Sequence, residues 1–85
     1  MRGDNYSKEH TRLREIMRLE RKKAGLRQSD LAKQTGRSQA YISKFENGDL
    51  RLDVIDFIRF CEVIGCSYKN VLKEAFGEMV LLRKE

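Results

Sequence analysis

The side chains of this sequence that are best suited to chemistry lie on one face of a short helical pattern. Their amide, hydroxyl and ammonium groups can donate and accept several hydrogen bonds, which a helix needs in order to read base edges in the major groove of DNA. One apolar position interrupts them. With that position included, the face consists of Gln39, Ala40, Ser43, Lys44 and Asn47.

The elements that must position this face are two short helices within residues 28–48, joined by too few residues for anything but a tight corner. Gly36 suits the left-handed end of the first helix, and Ser38 can cap the start of the second. Each helix has an apolar face at the i, i+3, i+4 spacing. Those faces are Leu31, Ala32 and Thr35 in the first and Ile42 and Phe45 in the second. The pattern predicts a helix-turn-helix.

Helical periodicity also marks three further elements, at about 9–24, 54–64 and 68–76, with Asp53 and Ser67 as caps of the last two. The sequence therefore predicts an all-α protein, a compact five-helix bundle followed by a short C-terminal apolar segment that is either strand or helix. The predicted organisation is a flexible arm at 1–8, the helix-turn-helix domain at 9–76 and a C-terminal extension at 77–85.

Charge within the first predicted helix interrupts its apolar stripe. The stripe consists of Leu13, Ile16, Met17 and Ala24, with Glu20 where another apolar residue would be expected. A carboxylate at that position must reach solvent or find a cationic partner.

The fourth predicted helix is too apolar to be covered on one side only. Its polar residues Asp56, Arg59 and Glu62 form a single stripe, so Ile55 is expected to meet a partner subunit or the C-terminal segment. The extension contains an apolar run that either folds back on its own core or makes a dimer contact, and we favour the dimer contact. That run is Met79, Val80, Leu81 and Leu82.

Several function classes are disfavoured by composition. The 85 residues leave room for one domain, and no apolar run approaches the ~18 residues of a membrane span. We expect a cytoplasmic protein. Cys61 and Cys66 with one histidine cannot supply four zinc ligands, so the cysteines are expected to be small buried residues and no metal or cofactor is predicted. With neither a catalytic pair nor a phosphate-binding glycine loop, we predict no enzyme and no small-molecule substrate.

The positive charge is concentrated in the half that holds the helix-turn-helix. Residues 1–51 hold 13 Lys or Arg against 7 Asp or Glu, a net +6, whereas residues 52–85 hold 5 against 6, a net −1. A positive field in the first half attracts phosphate and gives salt-sensitive affinity for nucleic acid. The alternative is that these charges only keep a small protein soluble.

The motifs resemble those of the lambda-repressor-like (Cro/repressor, XRE) helix-turn-helix family over about residues 13–72. The resemblance implies a five-helix bundle whose third helix reads DNA, and a homodimer on a pseudo-palindromic operator. The residues that carry it are Gln28, Leu31, Ala32, Gly36, Ser38, Ile42, Ser43, Glu46, Asn47 and Gly48, followed by the fourth helix ending in Val63, Ile64, Gly65, Cys66 and Ser67.

The resemblance also implies roles for particular residues. Arg21 and Glu46 match a pair that bridges the first and third helices. Arg27 stands where the family often has a helix-capping residue, and it is assigned to phosphate contact instead. The implied base-reading positions are Gln39, Ala40, Ser43 and Lys44. The predicted contacts to the DNA backbone are Gln28, Arg27, Arg37, Ser38, Asn47 and Arg51.

Two functions follow as hypotheses. The first is a sequence-specific DNA-binding transcriptional regulator, a repressor acting as a homodimer on double-stranded DNA. The second is an antitoxin or another protein-interaction module, which would bind a partner protein through the C-terminal apolar segment as well as DNA.

Overall fold

The chain folds into helices joined by short turns. A computed structural model describes residues 7–77, and within that range it contains five α-helices and no strand. The helices are α1 Lys8–Lys23, α2 Gln28–Thr35, α3 Gln39–Glu46, α4 Val54–Ile64 and α5 Tyr68–Phe76. The predicted all-α class is confirmed. The predicted contact residues Met79, Val80, Leu81 and Leu82, and most of the predicted arm, lie outside the described residues.

Side-chain caps determine where four of the helices begin. In each case an oxygen of the cap accepts a hydrogen bond from a backbone N–H in the first turn, which has no partner inside the helix. Because of its cap, α1 begins at Lys8, one residue before the position that periodicity predicted. The four capping residues are Ser7, Ser38, Asp53 and Ser67.

The core is shared by the five helices of the described part: α2 packs on both α3 and α4, and α1 packs mainly on α5. The buried rings of Phe45 and Phe60 meet edge to face with centroids 6.3 Å apart, a favourable arrangement for aromatic pairs. The buried cluster consists of Met17, Leu31, Ala32, Ile42, Phe45, Phe57, Phe60, Cys61, Ile64 and Val71.

Helix α1 follows its predicted stripe with one exception. Met17 is buried, and Glu20 meets both expectations for it, since its side chain is partly exposed and lies 3.2 Å from Lys23 Nζ. The prediction that Ala24 belongs to the buried stripe is wrong. The helix ends at Lys23, and Ala24 is its exposed C-cap.

The two cysteines are free thiols. Cys61 lies in the core and Cys66 is partly buried, as expected for small residues of this kind. Burial is the main cause that raises the pKa of Cys61, to about 12, and it also raises the pKa of Cys66. Both thiols are therefore protonated at neutral pH.

Helix α4 departs from its predicted polar stripe. Arg59 and Glu62 are exposed, but Asp56 is 3% exposed, so Asp56 does not share the exposed polar stripe predicted for these three residues. The first turn instead exposes two apolar residues, Val54 at 74% and Ile55 at 64%. Although α4 is rich in apolar residues, no helix within residues 7–77 is long and apolar enough to cross a membrane.

Candidate nucleic-acid interface

The corner between α2 and α3 is a tight helix-turn-helix. Gly36 ends α2 with φ 76°, a left-handed conformation that glycine adopts without strain. The backbone N–H of Arg37 donates to Ala32 O at 2.9 Å and closes the turn. Ser38 Oγ then accepts from Tyr41 N at 3.1 Å. Only three residues therefore separate α2 from α3, which gives the tight corner that was predicted.

One face of α3 is anchored in the core and the other faces outward. Ile42 is 0% exposed and Phe45 is 1% exposed, so the helix cannot roll without exposing apolar side chains. Opposite them lie the four positions predicted to read bases, three of them exposed and Ser43 partly so. We call this set the reading face: Gln39, Ala40, Ser43 and Lys44.

The C-terminal end of α3 is held by a buried ion pair. Arg21 Nε and Nη2 donate to the two carboxylate oxygens of Glu46 at 2.7 and 2.9 Å, and Arg21 Nη1 donates to Leu26 O at 2.8 Å. The side chains are 7% and 4% exposed. The structure thus brings together the two residues that the resemblance paired, and their two parallel hydrogen bonds fix α3 against α1.

Gln28 extends this contact toward the reading face. Its Nε2 donates to Glu46 Oε1 at 2.9 Å, and its Oε1 accepts from Gln39 Nε2 at 3.4 Å. Arg21, Gln28 and Glu46 form what we call the Glu46 cluster. Through it α1, α2 and α3 are joined, and the first residue of the reading face is connected to the same set of hydrogen bonds.

Four more residues that were predicted to contact the DNA backbone are exposed. Ser38, Asn47 and Arg51 are exposed. The Arg27 side chain is 81% exposed and lies 3.1 Å from the Asp30 carboxylate. Asp30 Oδ2 also accepts from the backbone N–H of Arg27 at 2.8 Å, which supplies part of the capping that an arginine side chain cannot.

Arg37 has a partner that the sequence did not indicate. Its Nε and Nη2 donate to Asp56 Oδ1 and Oδ2 at 3.2 and 2.6 Å, and its guanidinium lies 4.4 Å from the centre of the Tyr41 ring. The Tyr41 hydroxyl donates to Asp56 Oδ2 at 2.6 Å. We call these three residues the Asp56 cluster.

The Asp56 cluster shifts the titration of its own members. Burial alone raises the pKa of Asp56, but the hydrogen bonds from Arg37 and Tyr41 outweigh it and leave that pKa below its ordinary value. Burial, followed by the hydrogen bond to Asp56, raises the pKa of Tyr41 to about 12. Near neutral pH the cluster therefore contains a carboxylate, a guanidinium and a neutral phenol.

The sequence offered only a weak signal for this cluster. Asp56 lies three residues after a capping Asp53, a spacing that also suits a surface residue in a first helical turn. A charged Arg37 immediately after the end of α2 is equally typical of a phosphate contact. Their proximity depends on how α4 packs on α2 beside the start of α3, which local spacing does not specify.

The comparison with protein families agrees with this geometry. The sequence matches the helix-turn-helix family HTH_3 over residues 17–69, a range that includes both clusters and the reading face and more than half of the chain. The protein belongs to this family, which confirms the resemblance to the XRE type. Fold and family together define a DNA-binding transcriptional regulator.

The chain is also similar in structure to individual proteins whose structures have been solved. The chain is similar to the clp gene regulator ClgR from Corynebacterium glutamicum, with 29% identity and a TM-score of 0.75 over 86% of this chain and 78% of that chain. A second structure of that regulator gives 28% identity and a TM-score of 0.74 over 84% of this chain and 91% of that one. No curated protein matches the sequence.

Proposed function

We propose that this protein is a repressor that binds a pseudo-palindromic operator as a homodimer, with α3 in the major groove. The observation that supports the proposal best is the reading face, displayed on a helix whose opposite side is buried. The Gln39 amide suits adenine, Lys44 suits guanine, and Ser43 can serve either base. Ala40 can make an apolar contact with a thymine methyl group.

Contacts to the DNA backbone would set the register of that face. The exposed N-terminal end of α2 presents backbone amides to an anion, and a phosphate there would lie beside Gln28 and Arg27. Ser38 and Asn47 cap the two ends of α3, Arg51 lies in the loop that follows it, and all three are exposed. These contacts carry no sequence information, so they should contribute equally on operator and random DNA.

Exposed apolar side chains support the dimer. Val54 and Ile55 are 74% and 64% exposed in adjacent positions of α4. Fully burying a side chain of this size is worth about 1.5–3 kcal/mol, and a two-fold axis doubles each contact because both subunits contribute the same patch. The run Met79, Val80, Leu81 and Leu82 would add to the same interface.

Repression requires only occupancy of the DNA. A dimer that places two α3 helices in successive major grooves covers a promoter and excludes another protein from it. Two-fold symmetry of the dimer would be matched by two half-sites about one helical turn apart.

Base reading is tested by Gln39→Ala and Lys44→Ala on DNA that the wild-type protein selects. Each change should weaken binding to selected DNA by about 1–3 kcal/mol and weaken binding to random DNA far less. Lys69→Ala is the matched control, since it removes the same charge from an exposed position on α5. Equal losses on both DNAs for Gln39→Ala would argue against base reading.

The dimer is tested by sedimentation of the purified chain. Wild type should be a dimer, and Ile55→Glu should produce a monomer because two carboxylates would meet at the interface. Leu19→Glu is the control, because Leu19 is a similarly exposed apolar residue, at 59%, on α1. A wild-type monomer that forms a stable complex only with another protein would overturn the homodimer and favour the antitoxin hypothesis.

A further inference from the structure

The Asp56 cluster joins the beginning of the recognition helix to α4. Tyr41 lies in the first turn of α3, Arg37 lies in the turn just before it, and Asp56 lies in the first turn of α4. Three hydrogen bonds of 3.2, 2.6 and 2.6 Å converge on a single carboxylate. The cluster therefore restrains the N-terminal end of α3, which the Glu46 cluster contacts only through the 3.4 Å hydrogen bond between Gln39 and Gln28.

Because Asp56 is more deeply buried than Arg37, the hydrogen bonds hold Arg37 and Tyr41 toward Asp56. The Asp56 side chain is 4% exposed, whereas that of Arg37 is 41% exposed. A carboxylate this buried is stable only with donors in place, so Arg37 and Tyr41 are held toward Asp56 rather than turned freely into solvent. The Arg37 guanidinium also stacks on the Tyr41 ring. This contact fixes the positions of the two hydrogen-bond donors relative to each other.

We propose that Asp56 is a positioning residue for DNA reading: through Arg37 and Tyr41 it holds the N-terminal end of α3 at the angle that brings the reading face to the bases. The inference rests on the proposed function. It gives Arg37 a role different from the phosphate contact that the sequence predicted, since two guanidinium nitrogens are already bonded to Asp56.

The two roles of Arg37 predict opposite effects of Asp56→Asn. If the cluster positions α3, losing the carboxylate loosens Arg37 and Tyr41 and weakens operator binding about tenfold. If Arg37 serves as a phosphate contact, the same change frees its guanidinium and removes a negative charge, and binding becomes tighter. Glu62→Gln is the matched control, because it neutralises an exposed carboxylate of the same helix.

The variant Arg37→Ala also distinguishes the positioning role of Arg37 from a phosphate contact. Positioning predicts a loss of about tenfold on operator DNA, little change on random DNA, and an unchanged slope of log binding constant against log salt. A phosphate contact predicts equal losses on both DNAs and a slope smaller by about 0.9. In the double variant R37A/D56N, positioning predicts a loss no greater than that of either single change, because both remove one interaction.

The experiment measures operator and random-DNA affinity across a salt series, at a temperature where circular dichroism shows each variant folded. Tyr41→Phe keeps the ring and the ion pair and removes one hydrogen bond, so it tests the proposal even if Asp56→Asn fails to fold; a loss of about threefold on operator alone is expected. Unchanged operator affinity in Tyr41→Phe, or tighter binding by Asp56→Asn, would overturn the proposal. Failure of wild type to prefer any DNA sequence would instead overturn the proposed function.

Discussion

The two ends of α3 are each held by an arginine–carboxylate ion pair, but the two pairs differ in exposure. At the C-terminal end of α3, Arg21 and Glu46 are 7% and 4% exposed. At the N-terminal end, Arg37 is 41% exposed and Asp56 is 4% exposed. Both pairs form two hydrogen bonds between guanidinium and carboxylate, so the geometry of the pairs is similar and their access to water is not.

That difference determines what breaking each pair should do. If Glu46 loses Arg21, or the reverse, the remaining charge is buried without an opposite charge beside it, which is costly. If Asp56 is neutralised, Arg37 can turn toward water. The exposed pair of Arg27 and Asp30, at 81% and 30%, is a third case in which both charges can return to solvent. We therefore expect the loss of stability on breaking a pair to be largest for the most buried pair and smallest for the most exposed one.

The largest effect is expected from Arg21→Ala. Removing one partner of a buried pair costs about 3–5 kcal/mol, a large part of the roughly 5–15 kcal/mol that typically stabilises a small domain. Urea unfolding followed by circular dichroism measures it.

The control replaces both partners, as R21M/E46L. Since no unpaired charge remains, much of the loss caused by Arg21→Ala should be recovered. A smaller loss of unfolding free energy for Arg21→Ala than for Asp56→Asn would contradict the expectation that the more buried pair is costlier to break.

A smaller loss of stability is expected from Asp56→Asn, about 1–3 kcal/mol near neutral pH. The pKa of Asp56 is lowered in the folded protein, so the contribution of its charge is present above the ordinary value of 3.8 and is lost as the pH falls through the folded value. The difference between wild type and variant should therefore shrink below pH 3.8. A difference that stays constant from pH 6 to about 2 would show that the charge of Asp56 contributes nothing.

The ionisation of the Tyr41 phenol at high pH should also depend on the Asp56 cluster. Its pKa is raised from 10.0 to about 12, so its contribution to stability is complete below pH 10.0 and is lost as the pH rises toward about 12. Ultraviolet titration of the folded protein should show a phenol that ionises late. Tyr41→Phe should remove that step and Asp56→Asn should move it to lower pH, and a late step that survives in Tyr41→Phe would assign it to another residue.

The smallest change in stability is expected from Arg27→Ser. The exposed pair with Asp30 contributes little, and a serine hydroxyl can accept an N–H at the start of α2 that an arginine cannot. The unfolding midpoint should stay the same or rise slightly.

The same variant tests whether Arg27 contacts a phosphate of DNA. If it does, DNA binding should weaken and the slope of log binding constant against log salt should be smaller by about 0.9. An unchanged slope would show that Arg27 is not one of the contacts to the DNA backbone.

Local sequence was enough to predict the helices and the corner between α2 and α3. Ser38, Gly36 and the apolar spacing of Ile42 and Phe45 act within a few residues of the elements they determine, and the structure shows each in its predicted place. The Arg21 and Glu46 pair came from a family resemblance rather than from spacing, and it meets across α1 and α3.

Contacts that depend on how distant helices cross were not predicted. Asp56 was predicted to lie on a polar stripe with Arg59 and Glu62, yet tertiary packing buries it beside Arg37 and Tyr41. Ala24 was assigned to the core by periodicity, which does not show where α1 ends. For Asp56 the missing information was tertiary, whereas for Ala24 it was the local end of α1.

We propose that α3 reads DNA as one half of a two-fold dimer. Sequencing the DNA that the purified protein selects from random oligonucleotides tests it directly. We predict an enriched site with two inverted half-sites about 10 base pairs apart, centre to centre, and loss of that enrichment in Gln39→Ala. Recovery of random sequence, or of a single half-site without a symmetric partner, would contradict it.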